Sequence, residues 1–359
     1  MEETYRQLAR RLDAVPNGFP ATATGVELQI LARLFTPQEA ALAARMRLLY
    51  EPAEAIAARV GMAAKEARRT LKEMARKGLI RARRGEGGLV FALLPFVVGI
   101  YEEQLGRMDA ELATLMEEYF REIGGRTILD TEPPIHRVVP VQEAIPTGLE
   151  IFPHEQAAAI VESARSWGVR ECICRKQQRL IGRGCKAPLE SCLILAPVEG
   201  AFEHDERTRP ITREEALQVL RRAEETGLVH TTGNFRDRHY YICNCCPCCC
   251  AVLRGLTEFA VPTAVARSGF RSVVDPEACL GCGACLERCP FGALSVPEDI
   301  AIVDGNRCLG CGVCVSACPA GALRLERLPP SEIPPLPTNI QEWMLLRAQA
   351  RGLRIEDIL

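Results

Sequence analysis

The chain has 359 residues, 48% hydrophobic and 25% charged, with a formal net charge of −2. That balance fits a soluble globular protein of two or three domains and excludes a polycation that coats nucleic acid or membrane. All 18 cysteines lie between Cys172 and Cys318. Such clustering argues against a disulfide scaffold and suits ligands that converge on metal.

Met1–Ala14 is charged and helix-like, with no apolar signal core. The longest apolar run, Leu89–Tyr101, is interrupted by Pro95 and Gly99 and is too short to span a bilayer. The expectation is a cytoplasmic protein without membrane contact. Reduced thiols there favour metal or iron–sulfur ligation.

Residues 1–95 read as one domain. Thr36-Pro37 with Glu39 predicts a capped helix to about Leu49. A second helix fits Pro52–Val60, stopped by Gly61, and a third fits Ala63–Lys77, stopped by Gly78. The third has an apolar stripe of Ala64, Ala67, Leu71 and Met74. Leu79–Arg83, the glycine-rich tip Gly85–Gly88 and Leu89–Leu93 then read as a hairpin. Three helices and a β-wing resemble the winged-helix fold of bacterial regulators. Nine Lys/Arg against two acids between Gly61 and Arg84 give the third helix and wing a basic face. That face suits a phosphate backbone, so 63–94 is a candidate DNA contact. The other reading is a solvated face on a protein-contact module.

Residues 96–125 are predicted to be a long helix ended by Gly124-Gly125. Tyr101, Leu105, Met108, Leu112, Leu115 and Tyr119 follow a 3.5-residue repeat. They read either as a face packed on its own domain or as the seam of a homodimer. Residues 126–262 begin with an extended connector spaced by Pro133, Pro134, Pro140 and Pro146. Pro153–Trp167 is predicted to be a helix stopped by Gly168.

Ten cysteines follow in this central segment: Cys172, Cys174, Cys185, Cys192, Cys243, Cys245, Cys246, Cys248, Cys249 and Cys250. Between the two groups, Thr212 with Glu215 caps a helix that ends at Gly227. Leu228–His230 and Tyr240–Ile242 read as short strands. Ten thiols exceed one four-ligand site. Neighbours in an extended chain point to opposite faces, so Cys245/Cys246 and Cys248/Cys249 could each serve two sites. One or two further iron–sulfur clusters are expected, with structural zinc or a disulfide relay as alternatives. Arg170, Arg175, Lys176 and Lys186 either offset cluster charge or are solvated. The five histidines are scattered. His230 and His239, nearest the Cys243 group, are the only candidate extra ligands.

Within 263–327, Cys279-x2-Cys282-x2-Cys285-x3-Cys289-Pro290 is repeated as Cys308-x2-Cys311-x2-Cys314-x3-Cys318-Pro319. Three closely spaced cysteines wrap one cubane, and the fourth reaches the other. Cys279, Cys282, Cys285 and Cys318 are assigned to one cluster, and Cys308, Cys311, Cys314 and Cys289 to the second. Gly281, Gly283, Gly310 and Gly312 let the backbone approach the sulfides. The segment resembles the 2[4Fe–4S] bacterial ferredoxins over about residues 272–327. With CxCR and CNCCxCCC, most of the chain is similar to a group of cytoplasmic iron–sulfur proteins of anaerobes. That resemblance implies iron–sulfur electron transfer and supplies no substrate. Residues 328–359 form a proline-rich spacer and a helix from about Thr338 to Ala350.

The expected architecture is multidomain α+β: a winged helix, a central mixed α/β cysteine-rich domain, and a ferredoxin-like two-cluster domain of ββα repeats. The expected function is electron transfer with a redox partner protein. A redox-responsive DNA-binding regulator and an oxidoreductase with an open central cluster are the alternatives. No P-loop is present, so ATP chemistry is not expected.

Overall fold

The computed structural model describes residues 2–141, 144, 151–354 and 356. Pro146 of the predicted connector lies outside them. The chain divides into two compact units, Met1–Glu132 with 177–182 and 344–359, and Pro133–Lys176 with 183–343.

In the first unit, helices Glu2–Asp13, Val26–Leu34 and Pro37–Ala43 precede Ala53–Val60 and Ala64–Arg76. Thr36 and Glu39 form the expected capping box. The helix they start ends at Ala43 rather than Leu49, because the chain must turn to lay Glu51–Pro52 beside Phe91 and Val90. Strands Ile80–Gly85 and Gly88–Leu93 pair in a hairpin, giving a three-stranded sheet. Ala67, Leu71 and Met74 of the last helix are fully buried, whereas Lys65, Arg69 and Lys72 face outward.

The predicted long helix is interrupted. Its first part is a short irregular turn at Phe96–Ile100 and a single turn at Glu102–Gln104, and the helix proper is Ala110–Ile123. Asp109 starts it by accepting from the Leu112 N–H at 2.9 Å. Tyr101, Leu105, Met108, Leu112 and Tyr119 are all buried within this unit. The Tyr119 ring meets Phe19 at a tilt and Phe96 edge-on, at 5.0 and 5.8 Å between centroids. The apolar repeat therefore marks the core of its own unit. The C-terminal residues close that core. Arg347, fully buried, donates to the carbonyls of Pro16 at 3.1 Å, Thr131 at 2.6 Å and Ile128 at 3.1 Å.

The second unit is built on a seven-stranded sheet. Its spatial order is Val265–Ala266, His136–Val139, Val229–Gly233, Tyr241–Cys245, Glu190–Ala196, Ser166–Glu171, Arg209–Ile211. The first pair is parallel and the others are antiparallel. Residues 153–167 are not one helix. A turn at Pro153–Glu155 and the helix Ala157–Glu162 give way to the strand at Ser166, since Trp167 and Val169 must cover the sheet. Helix Arg213–Thr226 has the predicted Thr212–Glu215 capping box and a left-handed Gly227 stop. It packs Ala216, Val219 and Leu220 on Val169, Leu193 and Ile242. C-terminal to the sheet, Phe270–Val274 pairs with Leu323–Arg327, and Leu294–Ser295 with Ile302–Val303. Among the described residues no helix is long and apolar enough to cross a membrane.

Candidate metal centres

The eight C-terminal cysteines frame two cavities. Cys279, Cys282, Cys285 and Cys318 line one of about 350 Å³, and Cys289, Cys308, Cys311 and Cys314 line another of about 310 Å³. Each quartet combines three cysteines of one repeat with the fourth of the other. The sulfurs are met by polar hydrogens in a repeated manner. Ala293 N–H donates to Cys289 Sγ and Ala322 N–H to Cys318 Sγ, each at 3.3 Å. Ala301 N–H reaches Cys279 Sγ at 3.4 Å and Ser272 N–H reaches Cys308 Sγ at 3.5 Å. Ser272 Oγ lies 3.2 Å from Cys314 Sγ. Donors aimed at sulfur, in a cavity lined otherwise by apolar atoms, fit a thiolate-bound cluster.

The four candidate glycines all have positive φ, between 62° and 76°. At Gly310 the left-handed backbone brings the chain against Phe270, and a Cβ there would lie 2.0 Å from that residue's carbonyl oxygen. Gly281 is similarly closed, 2.5 Å from the Asp299 carbonyl oxygen. Burial pushes the Cys314 thiol up to about 11 and also raises Cys311 and Cys285. Such thiols ionise when a metal takes the proton's place.

The ten central cysteines fall into two groups. Cys185, Cys246, Cys248 and Cys249 place all four sulfurs within 4.8 Å of one another. The other six form a closed ring of thiol-to-thiol contacts. Cys172 touches Cys174 and Cys192, Cys174 touches Cys250, Cys250 touches Cys245, Cys245 touches Cys243, and Cys243 returns to Cys192.

Strand register explains the ring. Leu193 lies opposite Ile242, so Cys192 stands beside Cys243 across two antiparallel strands. Cys243 and Cys245, two residues apart, share a face. The neighbouring strand Ser166–Glu171 ends just before Cys172. Cys245 and Cys246 fall in different groups, as an extended chain requires. Cys248 and Cys249 fall in the same one, because Pro247 opens a tight turn in which Cys250 N–H donates to Cys246 O at 3.1 Å. The second adjacent pair that separates is Cys249/Cys250.

Of the four basic residues near the first cysteines, one enters the site. Arg170 pairs with Asp205 at 2.9 Å, Lys176 pairs with Glu171 at 3.0 Å, and Lys186 is exposed. Arg175 is fully buried and donates to the Asn244 carbonyl at 3.1 Å, to Ser191, and to Cys246 Sγ at 3.6 Å. Its Nε is buried with no hydrogen-bond partner among the described residues. Thiol contacts first, and then the Arg175 charge, pull Cys172 of the ring and Cys246 of the quartet well below the ordinary thiol range. A single guanidinium thus faces both groups.

Neither candidate histidine meets a sulfur. His230 Nδ1 lies 2.5 Å from Asn244 Oδ1 and Nε2 lies 3.1 Å from Glu224. His239 reaches Thr232 and the Arg236 carbonyl. Sequence reasoning missed Ser272 and Thr231, whose hydroxyls lie 3.2 and 3.5 Å from Cys314 and Cys245. Pairing of strands Val229–Gly233 and Tyr241–Cys245 brings Thr231 to Cys245, and the loop that carries Cys314 packs on Ser272.

Residues 271–319 match the family model of the 4Fe-4S dicluster domain. In the comparisons with curated proteins and with solved structures, nothing matches the chain. The C-terminal cysteine segment is thus an iron–sulfur domain of the ferredoxin type, and it supports iron–sulfur cofactors in this chain.

Proposed function

We propose that the protein is an iron–sulfur electron carrier with two [4Fe-4S] clusters and a further iron–sulfur centre on the ring of six thiols. The observation that carries this reading is the crossed grouping of the eight C-terminal cysteines around two separate cavities. When bound, such clusters supply one-electron transfer. Exchange of the fourth ligand between the two repeats keeps the two sites close, which suits passage between them. The N–H and O–H donors on Cys279, Cys289, Cys308, Cys314 and Cys318 offset thiolate charge and tune the potentials.

The two sites differ in exposure, and this gives the relay a direction. Cys308, Cys311 and Cys314 are buried, whereas Cys282 is exposed. Around the outer quartet, Leu280 is 72% exposed and Ile302 53%. An apolar rim beside the accessible cluster suits docking of a redox partner protein there. At the other end, Arg288, which precedes Cys289, donates to the Glu224 and Glu225 carbonyls at 2.6 Å. The same helix end packs Ala223 and neighbouring Leu228 on Cys246 and Cys249. The C-terminal end of helix Arg213–Thr226 therefore touches both the ferredoxin segment and the four-thiol group of Cys185, Cys246, Cys248 and Cys249.

An anaerobic reductive titration tests the proposal. The full chain is expected to take up more than about two electrons, one for each cubane and the rest at the ring. A Cys172→Ser, Cys192→Ser double variant is expected to fall back to about two. Uptake of fewer than two by the intact chain would reject the carrier reading, and unchanged uptake in the double variant would reject the ring as a redox centre.

A second reading, duplex DNA binding by the first unit, is favoured by one observation. Lys65, Arg69 and Lys72 on helix Ala64–Arg76 and Arg81 and Arg84 on the hairpin are all exposed. The order of helices and hairpin resembles that of a winged helix, which supports this reading. Binding that weakens steeply with salt, and more weakly in Arg69→Glu, is the expected result. Absence of any salt-dependent duplex binding in either redox state would remove this reading.

A further inference from the structure

The four-thiol group and the ferredoxin quartets differ in the spacing of their sulfurs. Sγ of Cys185 lies 3.6 Å from that of Cys246 and 3.8 Å from that of Cys249, and Cys248 and Cys249 are 3.7 Å apart. A regular tetrahedron with metal–sulfur bonds of about 2.3 Å has edges of about 3.8 Å. A cubane places four irons and four sulfides between its thiolates and holds them well beyond that edge. Among the described residues, no other three cysteines have all their sulfurs within 4.8 Å of one another. The ferredoxin quartets instead surround open cavities of about 310 and 350 Å³.

We infer that Cys185, Cys246, Cys248 and Cys249 bind a single tetrahedral divalent ion of the zinc class, and not an iron–sulfur cluster. Three ligands come from the tight turn after Asn244 and the fourth from the loop after helix Ile173–Leu180. Four thiolates fill the coordination of such an ion and leave no open position, as in structural zinc sites. The surroundings match. Ala223, Leu228 and Ala187 pack against the group, and Arg175 donates to Cys246 Sγ from outside it. Cys248 is exposed, so an ion without redox chemistry suits the site better than an oxidisable iron tetrathiolate.

The role follows from connectivity. The ion ties the 183–187 loop to the turn that presents Cys250 to the six-thiol ring. It would hold the ring's shape and carry no electron itself. This inference is independent of the electron-carrier reading, because it concerns a centre outside the relay.

The test is metal analysis of the full chain purified without oxygen. About one zinc per chain is expected beside the iron. Cys185→Ser is expected to lose that zinc while the paramagnetic signals of the two reduced ferredoxin clusters remain. Cys248→His is expected to retain it, since three cysteines and one histidine also bind zinc. Growth with cobalt should give the visible bands of tetrahedral thiolate-bound Co²⁺, absent in Cys185→Ser. Wild-type protein with iron but no zinc would overturn the inference. So would loss of a cluster's worth of iron in Cys185→Ser, or loss of zinc in Cys248→His.

Discussion

The ferredoxin segment and the central cysteine region contain similar numbers of thiols, eight and ten, yet they organise them differently. In the ferredoxin segment a repeated loop supplies three cysteines to each cavity, and the other copy supplies the fourth. In the central region the ends of three interior strands, a tight turn and a distant loop bring cysteines from 172 to 250 together. The first arrangement leaves two separate open cavities. The second leaves thiols in mutual contact, divided by the alternation of one strand and sharing one buried arginine. Cysteine number alone therefore says little about the centre, whereas the spacing between sulfurs says a great deal.

The largest expected effect separates the crossed from the uncrossed ligand set. Cys289→Ser should remove or convert the cluster built mainly by Cys308, Cys311 and Cys314, leaving the Cys279-side signal in electron paramagnetic resonance. Loss of the Cys279-side signal alone would break the assignment. Next is Arg175→Met. It leaves the Asn244 carbonyl without its two guanidinium donors and two thiolates without their cation, at a cost of about 3–5 kcal/mol. Thermal denaturation should show a lowered midpoint, with loss of metal from the central region and not from the ferredoxin segment. Equal loss from both would mean that Arg175 is not specific to the centre.

Gly310→Ala adds a left-handed residue and a clash with the Phe270 carbonyl, about 3 kcal/mol together. Its effect should fall on the inner ferredoxin cluster, read as slower reconstitution of that signal. The smallest effect is Thr212→Ala, which removes the Oγ acceptor for the Glu215 N–H at 3.1 Å. A cost of about 1 kcal/mol is expected, read in chemical denaturation, with the optical spectrum of both regions unchanged.

The same contrast explains what could be read from the chain before its fold was known. The grouping of the ferredoxin cysteines was legible because cluster chemistry demands fixed local spacing, and a proline follows each fourth cysteine. The Thr36 and Thr212 caps and the Gly61, Gly78 and Gly227 stops were legible for the same reason, since each is decided within one turn. The partition of the central thiols was not. It depends on Leu193 meeting Ile242 and on the turn after Pro247, and tertiary pairing sets both. The repeat from Tyr101 to Tyr119 misled for a physical reason. Apolar residues at helical spacing record burial, and an irregular stretch through Gly99 and Gly106 can bury them as well as a helix can. Arg175 was visible as a basic residue beside cysteines. Only its burial against Asn244 and Cys246 distinguishes it from Arg170 and Lys176.

The central claim is that iron–sulfur chemistry extends beyond the ferredoxin segment into the six-thiol ring. Mössbauer spectroscopy of the full chain, grown on ⁵⁷Fe and purified without oxygen, tests it most directly. Two cubanes account for about 8 Fe per chain. The account predicts iron beyond that number, in a component that disappears in the Cys172→Ser, Cys192→Ser variant while the two cubane components persist. A spectrum fully described by two cubanes, unchanged in that variant, would contradict it.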